Sequence, residues 1–297
     1  MCVAFWLWQP DPQPAAGDGP PPVRYALLLA LNRDEVLSRP SQAAHFWADD
    51  PGIFAGRDLV QGGTWLGVSK SGRVGWLTNV RETYVDAAAH TRGDLVTAFL
   101  QGRESPLEYC AAHAPHLGAY NGFNLVVADL RIGQMAYCTN RPPGQSGRIE
   151  ALPSGMYGLS NAALDTPWPK VVRGKATFAS LVAATADAAV PAEELVHGLL
   201  QDRWRPPGDQ LPHTGRPPEV EAELSPIFVE CTLPELGAYG TRSQTVIGIQ
   251  HNGHVDFFER YLDNDGTWKE QQQMFEVECQ RGNGSEQGLK AKGSWVR

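Results

Sequence analysis

The sequence predicts an α+β fold in which strands and helices are segregated into separate layers. Short strand-like runs occupy the first part of the chain, helical patterns dominate at about residues 168–201, and strand-like runs return from residue 244. Single strands alternating with helices would instead indicate a parallel sheet built from βαβ units. With 297 residues and 42% hydrophobic content, we expect one large domain over residues 1–278 and a disordered, polar tail over residues 279–297.

The first two strands are the most clearly marked elements. Residues 2–8 and 25–31 are continuous apolar runs, and the segment between them is rich in Pro, Gly, Asp and Ala. Runs of this length bounded by breaking residues are typical of strands buried on both faces. We expect the two strands to pair antiparallel through a long loop, with residues 2–8 in the centre of a sheet.

The remaining elements follow from apolar runs, helical spacing and turn residues. Residues 70–72 (Lys-Ser-Gly) and 252–253 (Asn-Gly) mark tight hairpins, and Pro191 opens a helix with acidic residues in its first turn. Residues 203–226 are polar and contain several prolines, which predicts a surface loop. Further strands are predicted at residues 52–57, 64–69, 73–78, 124–128, 134–139, 155–160, 244–250 and 255–262, and helices at residues 92–100, 106–113 and, as two segments, 168–201.

Cys2 directly follows Met1, so removal of Met1 would make it the N-terminal residue. Such a cysteine carries a thiol nucleophile and a free α-amine on the same residue. That amine has a pKa of roughly 7.7–8.0, close enough to neutrality to serve as a general base. The alternative interpretation is that Cys2 is a small, buried residue of the first strand.

Charged residues follow the second strand, where an antiparallel partner would bring the chain back to Cys2. We expect Arg33, Asp34 and Glu35 to lie near Cys2, with the guanidinium lowering the pKa of the thiol and a carboxylate orienting the terminal ammonium. Because adjacent strand residues point to opposite faces, at most one of the two carboxylates would face the amine, and Arg33 and Glu35 could share one side while Asp34 pairs elsewhere. The alternative is a charged turn that keeps the hairpin soluble.

Several short motifs occur in order along nearly the whole chain, from residue 2 to about residue 262. This set resembles the NRDE family of transport and Golgi organisation proteins, which is named for its Asn-Arg-Asp-Glu motif. The resemblance implies an N-terminal-nucleophile hydrolase fold, a four-layer αββα sandwich. The matching motifs are Met-Cys at the start, residues 32–35 (Asn-Arg-Asp-Glu), 56–58 (Gly-Arg-Asp), 62–67 (Gly-Gly-Thr-Trp-Leu-Gly), 77–82 (Leu-Thr-Asn-Val-Arg-Glu) and 239–243 (Tyr-Gly-Thr-Arg-Ser).

The same resemblance implies further site residues. In hydrolases similar to this family, two Asn and a late Arg complete the site around the terminal Cys, and Asn79, Asn161 and Arg242 are the best positional matches. Each lies beside a strand-like run, and amide and guanidinium groups can bind an oxyanion or an amide carbonyl. The alternative assigns the two Asn to turns and the Arg to a loop.

Two functions of different classes are therefore predicted. The first is hydrolysis of an amide or thioester of a small metabolite by Cys2, without a cofactor. The second is non-catalytic handling of a hydrophobic ligand, with haem, acyl-CoA or a lipid as cargo, which the resemblance connects to Golgi organisation, secretion, haem trafficking and lipid homeostasis. A protein that acts through its surface alone would make the Cys2 arrangement incidental.

Composition excludes several other classes. The net charge is −8 and no long basic block occurs, which argues against nucleic-acid binding. No apolar run reaches the roughly 18–20 residues that a transmembrane helix needs. Five scattered cysteines without a Cys-x-x-Cys pair indicate a reducing compartment. We therefore expect a cytoplasmic protein, with association with the Golgi or mitochondria as a further expectation, and no metal site.

Overall fold

Two seven-stranded antiparallel sheets form the centre of the protein in the computed structural model, which describes residues 2–11, 25–142, 147–185 and 189–279. The strands are β1 (Cys2–Trp8), β2 (Tyr25–Val36), β3 (Ser41–Phe46), β4 (Ile53–Asp58), β5 (Leu66–Ser69), β6 (Arg73–Asn79), β7 (Phe123–Asp129), β8 (Gln134–Thr139), β9 (Arg148–Ala151), β10 (Gly155–Leu159), β11 (Glu230–Leu233), β12 (Gly237–Gln250), β13 (His254–Leu262) and β14 (Trp268–Glu276).

The helices are fewer and lie outside the sheets. They are α1 (Gly93–Gln101), α2 (Pro106–His113), α3 (Pro169–Ala184), α4 (Ala192–Leu195) and α5 (Pro218–Glu223), with a π-helical turn (Val196–Leu200) and two 3₁₀ segments (Ala114–Ala119 and Gly208–Gln210). None of the helices in the described ranges is both long enough and apolar enough to span a membrane.

The first sheet has the strand order β10-β1-β2-β12-β13-β14, with β11 also paired to β12. The second sheet runs in sequence order from β3 to β9. β1 lies between β10 and β2, so the prediction of a central first strand is confirmed. Its pairing with β2 places Cys2 opposite Arg33.

Alternating residues of β1 and β2 build two different cores. Trp6 and Leu29 pack between the sheets, against residues such as Trp76. Phe5 and Leu28 point the other way and pack against α3, α4 and the π-helical turn. The outer face of the second sheet packs against α1 and α2. The layers are therefore helix, sheet, sheet and helix, and the predicted αββα sandwich is confirmed.

The strands that the sequence did not predict are β3, β9, β11 and β14, and the segment predicted as a loop over residues 203–226 contains α5. β3, β9 and β14 are terminal strands of their sheets. Terminal strands carry many polar side chains, as in β14 with its run of Glu and Gln, so they lack the apolar runs that identify inner strands. The predicted disordered tail falls, from residue 280 onward, outside the described residues.

Candidate active site

A cavity of about 400 Å³ opens where β1 begins and β2 and β6 end. Five of the seven site residues predicted from the sequence line it: Cys2, Arg33, Asp34, Glu35 and Asn79. Asn161 and Arg242 lie outside this cavity.

Cys2 is fixed in the wall of this cavity. Its side chain is 5% exposed, and the alternation along β1 turns it toward the space between the two sheets. The hydroxyl of Ser160 donates to the carbonyl oxygen of Cys2 over 3.2 Å, and the backbone of Asp34 forms a hydrogen bond to its sulfur. The first residue of β1 is thus fixed by two neighbouring segments.

Burial has the largest effect on the Cys2 thiol and raises its pKa above the ordinary value. The charge of Asp34 acts in the same direction, whereas Arg33 lowers the pKa by a smaller amount. Arg33 thus acts on the thiol in the expected direction, but the loss of hydration outweighs one guanidinium and the pKa of Cys2 is raised overall. A base must remove the thiol proton before Cys2 can attack a carbonyl carbon.

The guanidinium of Arg33 is held by neighbours other than Cys2. Its Nη2 lies 3.4 Å from Oδ2 of Asp58, and its Nη1 donates to Oγ of Ser41 over 3.5 Å. Its Cζ also lies 4.1 Å from the centre of the Trp65 ring. These contacts fix the guanidinium of Arg33, which lies opposite Cys2 on the neighbouring strand.

Asp34 and Glu35 occupy different environments, as their opposite directions on β2 require. Oδ1 of Asp34 accepts a hydrogen bond from Oγ1 of Thr241 over 2.7 Å, and burial raises the pKa of this carboxyl to about 6. Glu35 is partly exposed and accepts a hydrogen bond from the backbone N–H of Val36 over 2.9 Å. The buried carboxyl is therefore that of Asp34, which contacts β12 through Thr241. Glu35 lies on the same face of β2 as Arg33, the residue paired with Cys2.

Lys170, near the start of α3, is a fully buried cation that sequence reasoning missed. Its Nζ donates to the carbonyl oxygens of Leu224 (3.1 Å) and Pro226 (3.3 Å). Burial lowers its pKa to about 8, while the charges of Asp34 and Cys2 act to raise it. No motif surrounds this lysine in the sequence, so nothing there could have identified it.

Arg81 is a second buried cation near the cavity, and it lies within one of the family-like motifs, next to Asn79. It pairs with Glu221 of α5, which is also buried, and its Nη2 donates to the carbonyl of Leu224 over 3.2 Å. Its Cζ lies 4.8 Å from the centre of the Trp168 ring. The motif could have suggested Arg81, but its partner lies in the segment that was predicted as a loop.

The two asparagines predicted for the site have distinct positions. Asn79 ends β6 and lines the cavity. Asn161 is 1% exposed, and its Nδ2 donates to the carbonyl oxygen of Asn79 over 2.7 Å. The carbonyl of Asn161 in turn accepts the backbone N–H of Arg81 over 2.8 Å. Asn161 therefore positions the cavity wall through the backbone on either side of Val80.

Arg242 is the predicted residue that the fold separates from Cys2. It lies at an irregularity of β12, donates to the carbonyl oxygen of Arg39 and lines a neighbouring cavity. Burial lowers its pKa. Among the residues that the structure describes, only Arg33 and Trp65 line both cavities.

The mouth of the Cys2 cavity combines cationic and apolar side chains. Arg92 and Arg216 line it together with Val85 and Leu236. Val85 is 58% exposed and Leu236 is 44% exposed. The cavity is thus polar around Cys2 and partly apolar at its mouth.

A solved structure, that of a conjugated bile acid hydrolase mutant from Clostridium perfringens, matches 95% of this chain and 99% of its own length, with a TM-score of 0.50 and 8% sequence identity. The protein thus has the fold of the N-terminal-nucleophile hydrolases. The sequence model of the Transport and Golgi organisation 2 family matches residues 1–264, and the chain belongs to this family.

Relatives in animals support the same assignment. The Transport and Golgi organization 2 homologue of Mus musculus is 37% identical over 274 residues, which is 89% of this chain and 95% of the mouse protein. The Homo sapiens homologue is 38% identical over 272 residues (88% and 93%). The Drosophila melanogaster protein is 29% identical over 287 residues (90% and 95%). Each similarity covers nearly the whole length of both chains.

Proposed function

We propose that the protein is a hydrolase that uses Cys2 to cleave an amide or thioester bond. The observation that supports this most directly is the placement of Cys2 in the wall of a cavity. There it lies opposite Arg33 of the neighbouring strand, and its sulfur is hydrogen-bonded to the backbone of Asp34. A cysteine that only filled the core would not need a cavity or buried charges beside it.

The reaction begins with removal of Met1, which exposes the α-amine of Cys2. The neutral amine takes the thiol proton, and the thiolate attacks the carbonyl carbon of the substrate. The resulting oxyanion accepts hydrogen bonds from donors in the cavity wall, for which Asn79 and Arg33 are our candidates. The leaving amine or thiol departs with the proton, and a water molecule then hydrolyses the Cys2 acyl-thioester to release the acid and restore the thiol.

Asp34 and Lys170 would support this chemistry from beneath the cavity. The carboxyl of Asp34 has its pKa raised to about 6 by burial, so it is mostly ionised at neutral pH. An ionised Asp34 would orient the terminal ammonium and stabilise the proton on it during the attack. Lys170 would in turn stabilise the buried carboxylate.

The exposed apolar side chains at the mouth support a second candidate function. Val85 and Leu236 would contact an apolar portion of a ligand, so the cavity could hold a hydrophobic cargo such as haem, acyl-CoA or a lipid without cleaving it. The family name links its members to transport and Golgi organisation, and a carrier of this kind is our alternative for this chain.

One experiment separates the two functions. The intact mass of the purified protein reports whether Met1 is removed. Wild type, Cys2→Ala and the control Cys231→Ala are then assayed with a panel of acyl-amides and thioesters and titrated with haem and acyl-CoA. For a hydrolase, Cys2→Ala should reduce turnover by on the order of 10³-fold or more with little loss of affinity, and Cys231→Ala should match wild type.

The opposite result is equally clear. Retention of Met1 would exclude the terminal-amine mechanism. Absence of turnover by wild type, together with tight ligand binding that Cys2→Ala leaves unchanged, would refute the hydrolase and favour the carrier.

A further inference from the structure

A second cavity, of about 470 Å³, lies on the other side of Arg33 and Trp65 from the Cys2 cavity. Residues of β3, β12 and β13 line it, including Ser41, Arg242 and Ser243. Its volume is in the range of pockets that hold small molecules. Nothing in the proposed hydrolysis uses this second cavity.

An irregularity in β12 directs two polar side chains into the cavity. Thr241 pairs with Asp34 and Ser243 pairs with Arg33, so the register shifts by one residue at Arg242. Without this bulge Thr241 and Ser243 would share a face. With it, Thr241 contacts Asp34, whereas Ser243 lines the cavity with the extra residue Arg242. Bulges of this kind often redirect a side chain toward a functional site.

Both redirected side chains present donors that no residue in the described ranges satisfies. Arg242 and Ser243 are each 4% exposed. Nε of Arg242 and Oγ of Ser243 are buried and lack a hydrogen-bond partner among the described residues. Buried polar groups are nearly always paired in native proteins, and an unpaired one is costly. Two adjacent unpaired donors therefore call for a ligand that supplies acceptor oxygens.

The charges around the cavity favour an anionic ligand. Arg33 and Arg242 line the same cavity, and the charge of Arg33 adds to burial in lowering the pKa of Arg242. An anion between the two guanidiniums would relieve this repulsion. Arg39 is also close, because its carbonyl accepts from Arg242, and its guanidinium pairs with Asp58.

Two acidic side chains also line the cavity, and each already has partners. Asp263 pairs with Lys269. Oε2 of Glu259 accepts the backbone N–H of Ala44 over 2.7 Å and Nε2 of Gln271 over 2.8 Å, and burial raises the pKa of its carboxyl. Neither acid donates or accepts at the two unpaired groups, so the donors remain directed at the cavity.

We infer that this second cavity is a binding site for a small oxyanion, a carboxylate or a phosphate group, held by Arg242 and Ser243. Arg242 donates its Nε–H to the anion, which lies at the edge of the guanidinium plane, and Ser243 donates its hydroxyl. The site does not depend on the chemistry of Cys2 and is present whether or not the protein is a hydrolase.

The test is calorimetric titration of the full chain with inorganic phosphate and, in a parallel arm, with acetate and succinate. Wild type should bind at least one of these anions. Arg242→Gln should weaken that binding on the order of 10–100-fold, and Ser243→Ala about 5-fold. Arg242→Lys keeps the charge but loses the directed Nε–H, so it should also weaken binding. The two arms distinguish a phosphate site from a carboxylate site.

The matched control is Arg205→Gln, which removes the same charge from an arginine on the surface that pairs with Glu223. It should leave anion binding unchanged. Equal weakening by Arg205→Gln would show a general charge effect and would overturn the assignment, as would failure of wild type to bind any of the three anions. Circular dichroism verifies the fold of each variant, and Ser243→Ala tests the site if Arg242→Gln does not fold.

Discussion

At the scale of single residues, Asp34 and Lys170 are two buried ionisable groups of opposite charge near the Cys2 cavity. The sequence indicated that a carboxylate would lie near Cys2, because the end of β2 returns to the start of β1. It could not indicate the cation, since Lys170 comes from a helix more than a hundred residues away. Long-range partners of this kind follow from how the layers pack and not from local patterns.

Asp34→Asn should alter how stability depends on pH. The folded pKa of Asp34 is about 6, above its ordinary 3.8, so the folded protein holds this proton to higher pH than the unfolded chain does. The stability that the protonated Asp34 carboxyl contributes is complete below about pH 4 and is lost as the pH rises through 6. The free energy of unfolding of Asp34→Asn, relative to wild type, should therefore rise by up to about 3 kcal/mol between pH 4 and 7.

Urea unfolding at several pH values measures this difference. Asp165→Asn is the control, because it makes the same chemical change in an exposed carboxylate that pairs with Lys175 at the surface. It should follow the wild-type profile. A constant difference between Asp34→Asn and wild type across this pH range would contradict the assignment of a raised pKa to Asp34.

Lys170→Met should raise the pKa of Asp34 above 6, because the ammonium of Lys170 lowers it in the wild type. Carbon-13 NMR titration of the Asp side-chain carboxyls reports this pKa directly. Lys170→Arg retains a cation and should produce a smaller change if the longer side chain is accommodated. An Asp34 titration that is identical in wild type and Lys170→Met would show that the two groups do not interact.

At the scale of elements, the inner strands were predictable, whereas of the terminal strands only β10 was predicted and β3, β9 and β14 were not. β1 and the first part of β2 are apolar on both faces because each is covered by a sheet on one side and by helices on the other. β14 is terminal, and its polar residues give no strand signal. The prediction of β12 began at residue 244, yet the strand starts at Gly237, so the bulge that redirects Arg242 was outside the predicted element.

The contact between α3 and β1 offers a test of packing. A Cβ at Gly174 of α3 would lie 2.1 Å from Cζ of Phe5, which the buried ring cannot accommodate without moving. Gly174→Ala should therefore destabilise the protein by about 1–3 kcal/mol despite the better helix propensity of Ala. The control is Gly198→Ala, where the nearest atom is 3.5 Å away on Leu181.

Chemical denaturation of both variants provides the comparison. Gly198→Ala should be neutral or slightly stabilising, since its new methyl group makes only ordinary contacts. Equal stability of Gly174→Ala and Gly198→Ala would mean that α3 is not packed against β1 as closely as described.

At the scale of the whole molecule, the two sheets are joined by a core rich in aromatic residues. The rings of Trp6 and Trp76 lie in different sheets, with centres 5.1 Å apart in an edge-to-face arrangement. The sequence marked both residues as apolar, but only the stacking of the sheets brings them together. Arg81 and Glu221, a buried ion pair separated by 140 residues, are likewise brought together only by the tertiary fold.

Trp76→Ala should lower the free energy of unfolding by about 3–5 kcal/mol, because it leaves a large void between the sheets. Trp76→Phe keeps most of the ring and removes an N–H that has no partner among the described residues, so it should cost clearly less. Thermal and urea unfolding give both values. A cost below 1 kcal/mol for Trp76→Ala would contradict close packing between the two sheets.

The Asn-Arg-Asp-Glu motif of β2 has a consequence for natural variation. Asn32 ties the strand to the helix layer through the carbonyls of Leu200 and Ile227, so a substitution there should lower the amount of folded protein in the cell. Glu35 is partly exposed and accepts a hydrogen bond from its neighbour Val36, so a substitution there should leave the amount of folded protein unchanged. Two substitutions within one four-residue motif would then differ in effect: one would lower the amount of folded protein and the other would leave that amount unchanged.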